Sequence, residues 1–243
     1  MLNKVIHKQI KIKTMKRVLY IIYILFFAVL GCKKQQDEPY DIDITLYSDY
    51  CWSYDYEAGE NIKIPLQKIE GKYYIEFYSK DENRITEECI SKGINLYNVG
   101  AISDWARYVA EGTEGPGANI FINLMAGFME GSYEQCIEVL ASVLYWSPFY
   151  ATEKVAAYGE IKITSMFTVM FKSGTTLKQL EKLAKKNSVY MIGIYNLNSN
   201  RYVLACTNSS KGNALEMANL LYESGLFENT SPNTISGRVS DVE

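Results

Sequence analysis

Histidine is almost absent from this sequence of 243 residues. The single imidazole belongs to His7, inside a leader segment that we expect to be removed. A mature chain without histidine has no Ser-His-Asp triad, no Cys-His pair and no histidine-containing metal site. Its acidic residues are scattered without a motif. We therefore predict no catalytic residues, no metal and no cofactor, and we expect a protein that is not an enzyme.

Long hydrophobic runs are also missing, apart from residues 18–30, which follow a basic segment. That run is too short for a comfortable membrane span and is typical of a signal-peptide core. It ends in Val29-Leu30-Gly31-Cys32, which resembles a bacterial lipobox. The resemblance implies a signal peptide over residues 1–32 and a lipid on the Cys32 thiol. A transmembrane anchor is the alternative.

Basic charge becomes scarce once the leader is removed. Residues 1–32 carry six Lys or Arg and no acid, which leaves 19 basic against 28 acidic side chains. This acidic balance argues against nucleic acid as a partner, because phosphates require a basic face. We expect residues 33–41 to be a tether that links the membrane lipid to a folded part. The lipobox places that folded part in the cell envelope, as an outer membrane lipoprotein facing the periplasm or the surface.

Closely spaced cysteines are lacking as well. Besides Cys32 the chain contains Cys51, Cys89, Cys136 and Cys206, and no two of them form a CxxC motif. No zinc or redox site is indicated. An exported protein could form two disulfides with three possible pairings. For Cys206, which ends an apolar strand, a buried thiol is favoured instead.

Residues 42–145 predict a smaller region with a β-hairpin and helices. Two alternating segments, residues 62–66 and 73–78, flank Glu70-Gly71, a pattern typical of a hairpin turn. Helical spacing is expected over residues 81–89, 103–110 and 133–144. Residues 112–117 are rich in glycine but lack the Lys-Ser/Thr of a phosphate-binding loop, so a plain loop is expected.

Residues 146–235 carry the clearest pattern, with strands at 161–171, 189–195 and 201–206. Capping boxes at Thr176-Gln179 and Asn213-Glu216 predict two helices, ending at Asn187 and Gly225. A short edge strand at residues 226–228 completes the order β-α-β-β-α-β. The sequence therefore predicts an α+β fold whose C-terminal domain is a ferredoxin-like sandwich. Residues 236–243 are expected to be a flexible tail.

Both faces of this predicted sheet are apolar, although two helices can cover only one of them. We call the uncovered side the second face. It is expected to consist of Met166, Met170, Tyr190, Ile192 and Ile194. A monomer rarely leaves a large apolar patch bare, so we expect the N-terminal half to cover this face. A partner protein is the alternative.

Several segments of the C-terminal region resemble the prodomain of lipoprotein subtilisin-like serine proteases of gut bacteria. They are residues 176–184, 212–220 and 222–227, together with the earlier segment Ser147-Pro148-Phe149-Tyr150. In that family the prodomain is ferredoxin-like, packs its open sheet face on the catalytic domain, assists its folding and blocks its active site. Because no catalytic domain is expected after Asn233, the resemblance implies binding to a subtilisin-like protease rather than hydrolysis.

Two other interpretations stay open at this point. The chain is a structural or adhesion-type lipoprotein that uses the module only as a scaffold, or it is the remnant of a truncated protease. A single substitution separates the first of these from the inhibitor hypothesis. A scaffold whose second face is covered internally is expected to unfold with Met170→Glu, whereas an inhibitor is expected to keep its fold and lose binding.

Overall fold

The computed structural model describes residues 44–55, 59–102, 115–152, 159–195 and 200–236. All of them belong to one compact unit, Asp43–Glu243. The expected signal peptide, the lipidation site Cys32, the tether and the helix at residues 103–110 lie outside the described residues. Of the expected tail, the description includes only Ser236.

The described residues form ten β-strands and four α-helices. The strands are β1 (Tyr50–Asp55), β2 (Glu60–Pro65), β3 (Gln67–Tyr78), β4 (Asn95–Ala101), β5 (Leu124–Glu130), β6 (Tyr145–Ala151), β7 (Ile161–Phe171), β8 (Tyr190–Ile194), β9 (Arg201–Ala205) and β10 (Phe227–Ser236). The helices are α1 (Glu82–Ser91), α2 (Tyr133–Ser142), α3 (Leu177–Lys186) and α4 (Ala214–Glu223). This is the α+β fold that the sequence predicts.

The ferredoxin-like prediction is confirmed in the C-terminal half, where β7, α3, β8, β9, α4 and β10 follow the order β-α-β-β-α-β. In the sheet, β7 lies between β10 and β9, and β8 lies outside β9. We call this half the second repeat. Its last strand is longer than expected, because β10 pairs with β7 from Phe227 to Ser236 rather than over three residues.

The N-terminal half contains the same motif, which we did not predict from the sequence. Strands and helices β3, α1, β4, β5, α2 and β6 again follow the order β-α-β-β-α-β, and β3 lies between β6 and β5. We call this half the first repeat. It ends with β6, beyond the expected boundary at residue 145. One antiparallel sheet runs through both repeats in the order β4-β5-β3-β6-β7-β9-β8.

The strand registers of the two repeats correspond closely. Pro148 of β6 lies opposite Tyr73 of β3, and Pro232 of β10 lies opposite Phe167 of β7. Each proline follows a serine, and in both repeats three residues of the first strand are left unpaired next to that position, residues 70–72 and 164–166. In the second repeat Asn233 of β10 is also unpaired there. The chain therefore holds two copies of one supersecondary unit with register shifts at corresponding places.

The bulge in the first repeat corrects the expected hairpin. Gly71 does not turn the chain, because β3 continues through it and β2 pairs with β1 instead. Its φ of 74° favours glycine. The Gly71 carbonyl accepts a hydrogen bond from Gly131 N at 3.0 Å, as the Ser165 carbonyl accepts one from Cys206 N at 2.8 Å in the second repeat. Glu70-Gly71, which is typical of a turn, thus forms a bulge within β3.

The helix ends largely follow the predicted signals. Both expected capping boxes are formed, and Gly225 has a φ of 77° just after α4. The end of α3 differs by one residue, because Asn187 has a φ of −104° and the left-handed conformation belongs to Ser188. The side chain of Asn187 explains this, since it donates to the Leu183 carbonyl at 2.9 Å.

Hydrophobic packing joins each helix pair to its part of the sheet. Helices α1 and α2 bury Ile85 and Val139 against Ile75 and Phe77 of β3. In the second repeat, helices α3 and α4 form a core with β7 and β9 that includes Phe167. All four cysteines outside the leader are free thiols, and three of them are buried, so none of the possible disulfides is formed.

Candidate functional site

A cleft of about 910 Å³ lies over strands β3 and β6. One wall is the start of α2, and the other is the start of α4 with the loop before it. Tyr73, Trp146 and Pro148 line the cleft, and the Tyr73 and Trp146 rings meet edge to face with centroids 6.0 Å apart. A cleft of this volume is large enough for a small-molecule ligand or a short peptide.

The α4 wall begins with a fully bonded first turn. Asn213 Oδ1 accepts from Leu215 N and Glu216 N at 2.9 and 3.1 Å. Glu216 Oε2 accepts from Asn213 N at 2.8 Å, and the Tyr145 hydroxyl accepts from Ala214 N at 3.2 Å. The backbone donors that would otherwise attract an anion are therefore already used.

The α2 wall has the same device. Ser132 Oγ accepts from Gln135 N at 3.3 Å, and Gln135 Oε1 accepts from Ser132 N at 2.9 Å. The first turn of α2 also contains Glu134. Hydrogen bonds from the backbone and from Ser132 lower the pKa of its carboxyl group. Both helix starts that face the cleft are thus neutralised from within the chain. Neither forms an open nest for phosphate.

Acidic side chains outnumber basic ones around the cleft. The lining charged residues are Glu70, Glu130, Glu134, Glu216, Lys68 and Lys211. Burial raises the pKa of Glu216, while the Asn213 backbone N–H and the Lys68 charge oppose that rise. The aromatic floor of the cleft is formed by Tyr73 and Trp146, and its acidic rim by the lining glutamates. The cleft is therefore suited to a ligand that has an apolar body and a positively charged end.

A polar seam joins the two repeats. Ser165 donates to both oxygens of the Glu76 carboxylate, from its backbone N at 2.8 Å and from Oγ at 2.6 Å. The Tyr74 hydroxyl donates to the same carboxylate at 3.0 Å. Glu76 is fully buried, and this burial raises its pKa against the effect of its three hydrogen bonds.

The loop after β9 is anchored in the same region. Asn208 N donates to the Leu144 carbonyl at 2.6 Å, and Asn208 Nδ2 donates to the Leu140 and Ala141 carbonyls at 2.9 and 3.0 Å. These bonds tie the loop that precedes α4 to the end of α2. The two walls of the cleft therefore belong to different repeats and are fixed relative to one another.

The predicted second face lies elsewhere and is covered in large part by the N-terminal half. Met166 and Ile192 are buried in a cluster with Phe121 and Leu124 of the first repeat, and half-buried Tyr190 packs against it. The cover expected from the sequence is therefore present over these three residues. Met170 lies at the other end of the face and is only half-buried.

Ile194 does not belong to this face. The register of β8 shifts between Met191 and Gly193, which inserts one residue and reverses the alternation. Ile194 then lies opposite Tyr202, whose ring packs against the helix-side core. The strict alternation assumed from the sequence fails at this bulge.

The glycine-rich loop helps to cover the second repeat. Gly115 N donates to the Ile192 carbonyl at 2.5 Å, and Gly117 N donates to the Met191 carbonyl at 3.0 Å. A Cβ on Gly115 would lie 2.5 Å from the Met191 oxygen. Glycine at positions 115 and 117 is explained by this close approach to the edge of β8.

The sequence missed the cleft because its residues come from four separate segments. One signal was present. Ser132-x-x-Gln135 after β5 repeats the capping pattern of Asn213-x-x-Glu216 after β9. Two such boxes at corresponding places point to an internal repeat and to two helix starts on one side of the sheet. Within the described residues, no group of three or more His, Cys, Asp or Glu side chains is placed to hold a metal.

None of the helices in the described segments is long and apolar enough to cross a membrane. No protein-family model matches this sequence, and no curated protein matches it. Among solved structures, the chain is similar to the acetolactate synthase small subunit from Thermotoga maritima. That similarity has 9% identity and a TM-score of 0.23 over 70% of this chain and 98% of the other.

A second similar structure is a putative glycine cleavage system transcriptional repressor. It shares 9% identity with a TM-score of 0.20, over 68% of this chain and 96% of the other. At these scores neither similarity carries an argument about function.

Proposed function

We propose that this chain is a lipid-anchored binding protein of the bacterial cell envelope, without enzymatic activity, that binds an amine-bearing ligand in the cleft. The observation that carries the proposal is the combination of aromatic side chains, an excess of acidic side chains and two helix starts closed by capping boxes. A cation on the aromatic floor gains from both the ring faces and the carboxylates. A phosphate gains from neither.

Calorimetric titration of residues 33–243 with short peptides tests this binding. The probes are a tetrapeptide containing lysine and tyrosine, the same peptide with glutamine in place of lysine, and inorganic phosphate. We expect binding of the lysine peptide alone. Trp146→Ala and Glu130→Gln are expected to weaken it about tenfold, a change of about 1.4 kcal/mol.

The matched control is Glu87→Gln, which removes an exposed glutamate of α1 outside the cleft. Its affinity is expected to equal that of the unchanged protein. Equal binding of the lysine and glutamine peptides contradicts the proposal, as does binding that Trp146→Ala leaves intact.

The lipid anchor is tested separately. Chains with Cys32 and with Cys32→Ala are expressed in a bacterial host and partitioned between detergent and water. We expect the first in the detergent phase and the second in water, because acylation of the thiol supplies the membrane affinity. A Cys32→Ala chain that stays in the detergent phase would instead favour the transmembrane alternative.

A second candidate function is binding to a subtilisin-like protease, as the sequence resemblance implies. The specific observation in its favour is the uncovered end of the second face, where Met170 and Thr168 are half-buried beside Arg201. Residues 33–243 should then slow or co-purify with such a protease from the same envelope. Met170→Glu should abolish this with the fold intact, whereas a scaffold protein should unfold.

A further inference from the structure

The chain contains an example of how one repeat joins the next. At the end of β6, Tyr150 lies opposite Ile161 and Phe149 opposite Lys162, in an antiparallel pair with the start of β7. Ser147 Oγ reaches across and donates to the Ile163 carbonyl at 2.7 Å. The last strand of the first repeat thus offers its outer edge to the first strand of the second.

The last strand of the second repeat carries the corresponding edge. Ser231-Pro232 of β10 corresponds to Ser147-Pro148 of β6, because each proline lies opposite the matching residue of the first strand. By the same register, Thr234 corresponds to Phe149. Ile235 corresponds to Tyr150, since they lie opposite Lys162 and Lys68 respectively.

The two edges differ in burial. Tyr150 and Phe149 are buried in the joint between the repeats, whereas Thr234 is exposed and Ile235 is 40% exposed. In the described part of the chain, β10 forms strand pairs with β7 alone. The β1–β2 hairpin contacts the beginning of β10, where Asn61 Nδ2 donates to the Glu228 carbonyl at 3.4 Å. The end of β10 is therefore an open strand edge with an apolar side chain.

The first strand of the first repeat is open in the complementary way. Gln67 and Lys68 correspond to Ile161 and Lys162 by register, and both are exposed. Their pairing with β6 uses one edge of β3, and β5 reaches the other edge only from Lys72 onward. Among the described strands there is thus one unfilled position at the start of the repeat array and another at the end.

We propose that the end of β10 pairs with the start of β3 of a second copy, in the manner in which β6 pairs with β7. The register of the internal joint then places Ile235 opposite Gln67 and Thr234 opposite Lys68. In this joint between copies, Met170 of one copy lies where Glu76 lies in the internal joint, and Gly71 of the other copy lies where Ser165 lies. No buried carboxylate or hydroxyl is then left without a partner.

The contact is head to tail, so each copy keeps one free end. Association therefore continues beyond a dimer unless the rotation between copies closes a ring. Backbone pairing at an exposed edge is the driving interaction, and the side chain of Ile235 adds apolar burial.

Sedimentation velocity of residues 33–243 over a concentration series tests the proposal. We expect mass to increase with concentration, and Ile235→Glu to raise the apparent dissociation constant about tenfold or more. Ile122→Glu is the matched control, because Ile122 is another exposed apolar side chain, 57% exposed, and belongs to neither β10 nor β3. It should associate like the unchanged protein. Circular dichroism checks that both variants are folded.

A mixing experiment examines the predicted register. Chains with Ile235→Glu are mixed with chains carrying Gln67→Lys, which sets a glutamate opposite a lysine at the joint. We expect the mixture to recover part of the association that Ile235→Glu alone loses. A protein that stays monomeric at every concentration overturns the proposal, as does association that Ile235→Glu leaves unchanged or that the mixture fails to restore.

Discussion

Replacing Glu76 by leucine tests how strongly the seam joins the two repeats. The carboxylate accepts from Ser165 N, Ser165 Oγ and the Tyr74 hydroxyl at 2.8, 2.6 and 3.0 Å. Leucine has a similar size and no acceptor. The substitution therefore leaves three buried donors without their partner while keeping the space filled.

The expected cost follows from those donors. A buried donor without an acceptor costs about 1–3 kcal/mol, and hydroxyl groups recover part of this by rotating. Relief from burying a charged group offsets some of the loss. We expect Glu76→Leu to lower the free energy of unfolding by about 3–5 kcal/mol. This is a large share of the roughly 5–15 kcal/mol that a native protein has.

Urea denaturation followed by circular dichroism measures the change. The midpoint is expected to fall by about 1–3 M for a typical slope. Glu87→Leu, at an exposed glutamate of α1, is the control and should stay within about 0.5 kcal/mol of the unchanged protein. Ser165→Ala is combined with Glu76→Leu in a double-mutant cycle.

Because Ser165 and Glu76 are in direct contact, their effects should not add, and the coupling should lie at about 0.5–3 kcal/mol. A loss below about 1 kcal/mol for Glu76→Leu, or strictly additive effects, refutes the reasoning that the seam stabilises the joint.

Three further predictions follow from the described contacts. Gly115→Ala should destabilise the protein by about 1–3 kcal/mol, because the added Cβ would lie 2.5 Å from the Met191 oxygen, and hydrogen exchange should then be faster at β8. The control Gly100→Ala, whose Cβ would have nothing within 4 Å, should change neither stability nor exchange. Because burial raises the pKa of Glu76, its protonated carboxyl group contributes stability that is complete below about pH 4.3 and is lost as pH rises through the raised pKa. The difference in unfolding free energy between the protein and Glu76→Gln should therefore change over this pH range, and a constant difference would contradict the prediction. Burial raises the pKa of the Cys51 thiol to about 11, and the other three thiols are buried, so a thiol reagent should label the native chain slowly. In urea the reagent should modify all four cysteines at once, and a missing equivalent would reveal a disulfide.

The sequence predicted the second repeat well because its local signals agree with its packing. Alternation along residues 161–171 and the two capping boxes specify strand and helices directly. The first repeat escaped because Gly71 is chemically suited to a turn and the structure uses it as a bulge. The glycine alone does not distinguish a turn from a bulge, because the outcome depends on pairing with β5, which begins more than fifty residues later in the chain.

The cleft could not be predicted for a related reason. Tyr73 and Trp146 are brought together by β3–β6 pairing, and Asn213 by the docking of the second repeat. None of these distances is encoded by spacing along the chain. The face around Met166 was predicted more successfully because alternation identifies buried positions, yet Ile194 shows that one inserted residue redirects every side chain beyond it.

The loop at Gly115 and Gly117 also constrains the order in which the protein can be completed. It precedes β8 in the chain, and its hydrogen bonds go to the Met191 and Ile192 carbonyls. During synthesis from the N-terminus, Phe121 therefore emerges before the strand that will bury it. The first repeat must wait with apolar surface exposed until about seventy further residues have left the ribosome, an interval of seconds at ordinary rates of elongation. Burial of Phe121 thus depends on synthesis of the second repeat.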